Sequence, residues 1–380
     1  MILPRRHFIA GASSLVLAGS WATDVVANRR PKKNLIVIML RGGMDGLTAV
    51  PYIGNQRLAE LRPTINVQKA HKIDGAFALH PSLRHFKEQW DLGKASILHA
   101  ASIPYTGRSH FEGQNVMQTG GLTPYAEDTG WLGRGMEAAE MKALSISLPM
   151  PLLLRGNGDN DNFYPSSRPM PPADVLKLLE DSYHGEDGLT AAMAKIRARP
   201  VSMVMGGGGA DDIKSLAKIA AQQMKDTGGP SVAVFDLGGF DTHSFQGGDR
   251  GQHADELQKY DQAIGVLHRH LGEAYDHSLI VTLTEFGRTV AQNGGSGTEH
   301  GYGTALLMTG GLLPASRVIG DWPGLENKAL FEGRDLAATR DARAAYASIM
   351  GHIFDRDHQF MCRTAFFDAT LPDMTKEIFG

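Results

Sequence analysis

A chain of 380 residues with 42% hydrophobic content can bury a large core, as one big α/β domain or two smaller ones. A formal net charge of −3, with no basic block beyond the N-terminal region, excludes nucleic acid as an expected partner. The single cysteine, Cys362, excludes an intramolecular disulfide and a multi-cysteine zinc site, whereas 15 histidines and 41 acids leave His/carboxylate metal chemistry open.

Residues 1–30 read as a leader rather than as part of the fold. Arg5 and Arg6 precede a moderately apolar segment, 8–22, diluted by glycine and serine. Small residues follow, so cleavage is expected after Ala22 or Ala27. The pattern resembles a twin-arginine export signal, which implies the twin-arginine machinery as a partner and a periplasmic or extracellular destination. An uncleaved N-terminal anchor is the alternative. The segment is too short and too rich in glycine and serine for a stable membrane span.

The remainder, 31–380, reads as a single domain in which strands alternate with helices. Residues 35–40, LIVIML, form an apolar run rich in β-branched residues, the pattern of a strand buried on both faces. It ends in Arg41-Gly42-Gly43 and then presents Asp45-Gly46. In an open α/β sheet ligands bind beyond the carboxyl ends of the strands, so Asp45 is a candidate metal or substrate ligand. A turn or helix-cap role is its alternative. A short helix is expected over 54–61, and another from His80-Pro81-Ser82 through Trp90, with Leu83, Phe86 and Trp90 on one face. Residues 95–99 read as a second strand, followed by a loop and Ser109-His110-Phe111-Glu112. Residues 145–154, broken by Pro149 and Pro151, suit an edge strand or extended segment.

The stretch 157–228 reads as an irregular and helical excursion, a cap over the sheet, with helices over 173–199 and 211–225. Between them Met205 is followed by four glycines, 206–209. Without Gly-Lys-Ser/Thr this run reads as a flexible joint rather than a phosphate loop. Beyond it, 232–235 is a strand that runs into Asp241-Thr242-His243. Leu257, Tyr260, Ile264, Leu267 and Leu271 recur at helical spacing, and 278–283 is a strand ending in Thr284-Glu285-Phe286. Glu299-His300 precede a strand over 305–308, and a helix is expected over 336–354.

Strand ends thus deliver Asp241, His243, Glu285, Glu299 and His300, with Asp45, to one rim of the sheet. An Asp-x-His pair on a glycine-flexible loop can bring an oxygen and an imidazole to one cation, and His300 would complete a three-ligand site. Each histidine alone has an alternative as a hydrogen-bonded loop residue. His253, His268, His270 and His277 read as surface or packing residues.

RGGMDGL, GRSHFEGQ, GWLGR, GGFDTH, TEFGRT, GTEHGYGT and GDWPGL together resemble the exported bacterial proteins grouped as domain of unknown function 1501, from about Asn34 to the last helix. More distantly the chain is similar to the alkaline phosphatase and sulfatase superfamily. That resemblance implies a doubly wound α/β fold, a mostly parallel sheet with helices on both faces. It also implies a divalent metal ion (Zn, Ca, Mg or Mn) and an anionic ester substrate. By the same resemblance Asp45 matches the first metal-binding aspartate, Asp241 and His243 an aspartate-histidine pair, and His300 the last histidine ligand. Glu285 stands in the place of a further acid. Ser109 matches the nucleophile, with Arg108 and Arg288 the nearest cations for the transferred group. Phe286 departs from the pattern, because it supplies no imidazole for a second metal. A helix-capping box with Glu112 is the other reading of Ser109. The function these residues imply is metal-dependent hydrolysis of phosphate or sulfate esters. A non-catalytic binding or assembly protein with an eroded site is the competing class.

Overall fold

The computed structural model describes residues 32–54, 56–146, 150–158, 160–162, 172–182, 212–226 and 228–380. The leader 1–30, the glycine run 206–209 and the expected helical stretch 183–199 lie outside them. The unit Lys33–Gly380 is organised by strands β1 (Asn34–Leu40), β2 (His71–Asp74), β3 (Phe77–Leu79), β4 (Ala95–Ser102), β5 (Ala143–Ser145), β6 (Asp161–Asn162), β7 (Val232–Leu237), β8 (Ser278–Leu283), β9 (Thr304–Thr309), β10 (Arg317–Ile319) and β11 (Arg340–Asp341). Nine of them form one sheet in the order β10-β4-β9-β8-β1-β7-β5-β6, with β11 also pairing β4, while β2 and β3 form a separate hairpin.

Every pairing in the large sheet is parallel except those of β9, which runs antiparallel to β4 and β8. β1 is buried along its whole length because it lies between β7 and β8 and is covered on both faces. Its alternate side chains enter different cores. Leu35, Val37 and Met39 pack with the helices Trp131–Ala138, Ala342–Ile353 and His358–Ala365. Ile36, Ile38 and Leu40 pack with Arg84–Asp91, Ile213–Lys225 and Gln252–Leu271. This is a doubly wound sheet with helices on both faces, the fold class expected from the sequence.

Local chemistry explains several helix starts. Asp212 caps the Ile213–Lys225 helix by accepting from the Lys214 N–H, and its Leu216, Ala217, Ala220 and Met224 are buried. That helix is therefore a layer of the main core rather than the cap expected over 157–228. The helix expected over 336–354 begins later, at Ala342, because Asp341 accepts from the Arg343 N–H and sets the cap there. The extended reading of 145–154 also needs correction. Strand β5 ends at Ser145, with the Ile146 N–H still donating to the Val234 carbonyl, and Leu152–Leu154 form a turn of 3₁₀ helix. The strand is internal too, since β5 lies between β7 and β6.

Candidate metal centre

The carboxyl ends of parallel strands share one rim, and an antiparallel strand brings its amino end there. The loops after β4, β7 and β8 and the loop before β9 therefore meet, carrying His110, Asp241, His243, Glu285 and His300 to one place. Asp241 is the hub. Its Oδ1 lies 3.0 Å from His243 Nε2 and 3.1 Å from His300 Nε2, and its Oδ2 lies 3.2 Å from His110 Nε2. The ligand atoms of His110, Asp241 and His300 all fall within 4.8 Å of one another.

The far side of each imidazole is fixed. His110 Nδ1 is 2.8 Å from Glu285 Oε1, His243 Nδ1 is 2.8 Å from Glu299 Oε2, and His300 Nδ1 is 2.7 Å from the carbonyl oxygen of Arg108. A carboxylate or carbonyl accepts, so each Nδ1 donates to its partner, and each Nε2 is left to face Asp241, as a donor when protonated or as a lone pair for a cation when not. Metal-binding histidines are oriented by such partners. The Nε2 atoms of His243 and His300 face each other at 2.9 Å, an arrangement that repels unless a proton or a metal cation lies between the two nitrogens. The Nε2 of His110 is buried and makes no hydrogen bond. Charge points the same way. Among the side chains touching the imidazoles and Asp241, the carboxylates Asp241, Glu285 and Glu299 face one guanidinium, Arg288, an excess of negative charge that a divalent cation, or protons on the imidazoles, would balance. The donor set thus fits a divalent ion held by imidazole nitrogens and one carboxylate oxygen.

Glu285 was expected among the ligands, and it stands behind the candidate ligand His110. It is fully buried and accepts from His110, from Gln114 Nε2 at 3.1 Å and from the Gly42 N–H at 2.8 Å. Burial alone would raise its pKa, and these donors hold it below the ordinary value. Burial likewise opposes the charge of Asp241, yet Arg288 at 2.6 Å holds its pKa down at about 2.

Asp45 is not at this cluster. Both of its oxygens are engaged: Arg62 at 2.6 and 3.2 Å, Thr48 at 2.7 Å, Gln246 at 2.7 Å and the Leu47 N–H at 3.2 Å. Asp45 and Arg62 are each 1% exposed, and Asp45 caps the short Gly46–Ala49 helix. The capping alternative is the one the structure displays. The two arginines are committed as well. Arg108 pairs with Glu332 and with buried Asp335 at 2.8 Å, while buried Arg288 binds Asp241 and the carbonyls of Gly42, Gly43, Phe240 and Thr298. Arg288 therefore ties together the loops that carry the candidate ligands.

Ser109 is half-buried at the N-cap of His110–Thr119, but its side chain does not cap the helix. Tyr105 replaces the expected capping box, its phenol accepting from the Ser109 N–H at 3.0 Å and donating to Glu112 at 2.6 Å. Arg108, just before it, has φ of 60°, a conformation that L side chains rarely adopt and that gathers at functional sites. Phe286 is buried, with its ring 5.0 Å from His110 and 4.7 Å from His300. His253 is fully buried beside Phe240, the packing alternative of its expected roles. His110 joins the candidate ligands from beside Ser109, at the first position of the His110–Thr119 helix, inside the GRSHFEGQ motif that could have signalled it.

Residues 193–351 match the family model described as Protein of unknown function (DUF1501). That is the family the motifs resemble. Asp241, His243, Glu285, Arg288 and His300 lie inside the matched stretch; Asp45, Ser109 and His110 lie outside it. No curated protein matches the chain. Similar solved structures include the PH0037 protein from Pyrococcus horikoshii, 12% identical, with TM-score 0.42 over 87% of this chain and 98% of that one. The putative sulfatase yidJ from Bacteroides fragilis is 11% identical, with TM-score 0.40 over 93% and 79%. The PsFucS1 sulfatase from Pseudoalteromonas sp. is 13% identical, with TM-score 0.39 over 90% and 72%. Among the described residues no helix is long and apolar enough to cross a membrane.

Proposed function

We propose that the chain is an exported, metal-dependent hydrolase of phosphate or sulfate esters, its divalent cation held by His110, Asp241, His243 and His300 and its nucleophile Ser109. The observation that carries the metal is the convergence of imidazole Nε2 atoms on one carboxylate, each ring turned by an acceptor at its Nδ1. When bound, a divalent cation lowers the pKa of a nearby hydroxyl and offsets negative charge on the transferred group. Ser109 Oγ would lose its proton to solvent and bond to phosphorus or sulfur as the alcohol oxygen leaves and is protonated. Water would then release the inorganic anion and restore the serine. Tyr105 and the unusual backbone at Arg108 hold Ser109 at the start of the His110–Thr119 helix. The helix N-terminus favours an anion there. Arg108 and Arg288 hold the frame instead of the substrate.

Elemental analysis of the protein from its native compartment tests the reading. Stoichiometric divalent metal is expected, falling at least several-fold in His110→Ala and His300→Ala. Turnover of a panel of phosphate and sulfate esters should disappear in Ser109→Ala while the metal stays. A metal-free wild type refutes the proposal. Buried Phe286 supports a second reading, a binding or assembly protein, because it gives a second cation no imidazole. Full metal content with no turnover across the panel would favour that reading.

A further inference from the structure

The two most exposed large apolar side chains among the described residues are Phe111, 84% exposed, and Phe245, 83% exposed. Both stand beside the candidate metal centre. Phe111 follows His110 directly, and Phe245 is two residues beyond His243, at most about 7 Å along the chain. Asp241 and His243 are themselves 45% and 40% exposed, so the centre opens toward solvent.

Neither ring is exposed for want of anchoring. Phe111 lies in the first turn of His110–Thr119, a helix pinned through His110 to buried Glu285. The Phe245 N–H donates to the Gly295 carbonyl at 3.0 Å and the next N–H, of Gln246, to Ser296 at 3.0 Å. Gln246 is fully buried, bonded to Asp45 and Thr298. Phe245 also has φ of 50°, the left-handed region that favours glycine, and the loop keeps it there with a large ring turned outward. Two solvent-facing aromatic rings, each on an anchored backbone within two residues of a candidate ligand, give a polar centre an apolar margin that a ligand's ring can cover.

We propose that Phe111 and Phe245 form an aromatic rim that receives the ring of the ester's alcohol part, so that the substrates are esters of ring-bearing alcohols. This rests on the hydrolase reading. The recognising chemistry is a flat ring face, which a sugar presents as C–H groups and a phenol as a π surface. The cation and the helix N-terminus hold the charged end, and the rim holds the ring.

The test uses the full-length, metal-loaded protein and three probes of equal charge: phenyl phosphate, glucose 6-phosphate and butyl phosphate, with the sulfate counterparts in parallel. KM is measured for the wild type, Phe111→Ala, Phe245→Ala and Phe245→Tyr. Dissociation constants are measured calorimetrically in the Ser109→Ala background, where no turnover is needed. In each alanine variant a ring probe is expected to weaken about five-fold more than butyl phosphate, and Phe245→Tyr to restore most of that loss. The phenyl and glucose arms decide which ring is preferred. Equal losses on ring and butyl probes, or no loss on any, overturn the rim. Ring-selective binding without wild-type turnover keeps the rim and removes the hydrolase. Turnover without ring preference does the opposite. Sedimentation of the same proteins closes the remaining route: a wild-type dimer that either alanine variant dissociates would make these rings a self-association surface.

Discussion

Replacing Asp45 with asparagine separates a structural acid from a metal ligand. In the wild type the carboxylate neutralises buried Arg62 and accepts from three side-chain and backbone groups besides. An asparagine keeps the shape but presents an NH₂ to the guanidinium, which is left buried without a counter-charge. Breaking a buried pair in this way costs about 3–5 kcal/mol. A cooperative unit of this length has an unfolding entropy on the order of 0.7 kcal/mol/K, so the melting temperature should fall by about 4–7 °C. The Val290 and Thr289 carbonyls still hold Arg62, which keeps the loss from growing larger. Linkage gives the pH signature. Burial alone would raise the pKa of Asp45, but Arg62 overrides it and places the folded-state value below the ordinary one. The stabilisation is therefore complete above about pH 4 and is lost as the pH falls further. Asp45→Asn should flatten that acid limb. Calorimetric melting at several pH values and elemental analysis on the same preparations read both effects. Lower stability with full metal content is expected, and Arg62→Met should reproduce it. An unchanged melting temperature with metal lost would return Asp45 to the ligand set and refute the reasoning.

Glu285→Gln should weaken metal binding by about 10–100-fold in a chelator competition, because it loosens the orientation of His110 without removing a ligand; unchanged affinity would deny Glu285 that role. Tyr105→Phe removes the phenol between Ser109 and Glu112 and should lower the melting temperature slightly, with about 1 kcal/mol at stake. If Ser109 is the nucleophile held by that phenol, turnover should fall as well, and turnover equal to the wild type would count against it. Replacing Arg5 and Arg6 with lysine should trap the precursor in the cytoplasm on fractionation, and normal export of that variant would point to another route.

The alternating apolar runs of the sequence determined the central strands and the helices that cover them. LIVIML at 35–40 admits no water-facing side, so it reads as a strand covered on both faces before any partner is known. The same logic placed β7, β8 and the Gln252–Leu271 helix, and with them the rim that carries Asp241, His243 and His300. What the sequence left open were choices made by partners far along the chain. A carboxylate on a glycine turn after β1 reads as a ligand or as a cap. Arg62 and Gln246 decided for the cap, from 17 and 201 residues away. Glu285 and His110, 175 residues apart, became an acceptor and its donor because β8 and the loop after β4 end at one rim. The antiparallel direction of β9 was equally invisible, since a fully buried strand looks the same in either direction, yet it brings His300 to the others. Periodicity and burial are local properties that a sequence displays. Which acid neutralises an arginine, and which orients an imidazole, depends on distances that exist only once the sheet has assembled.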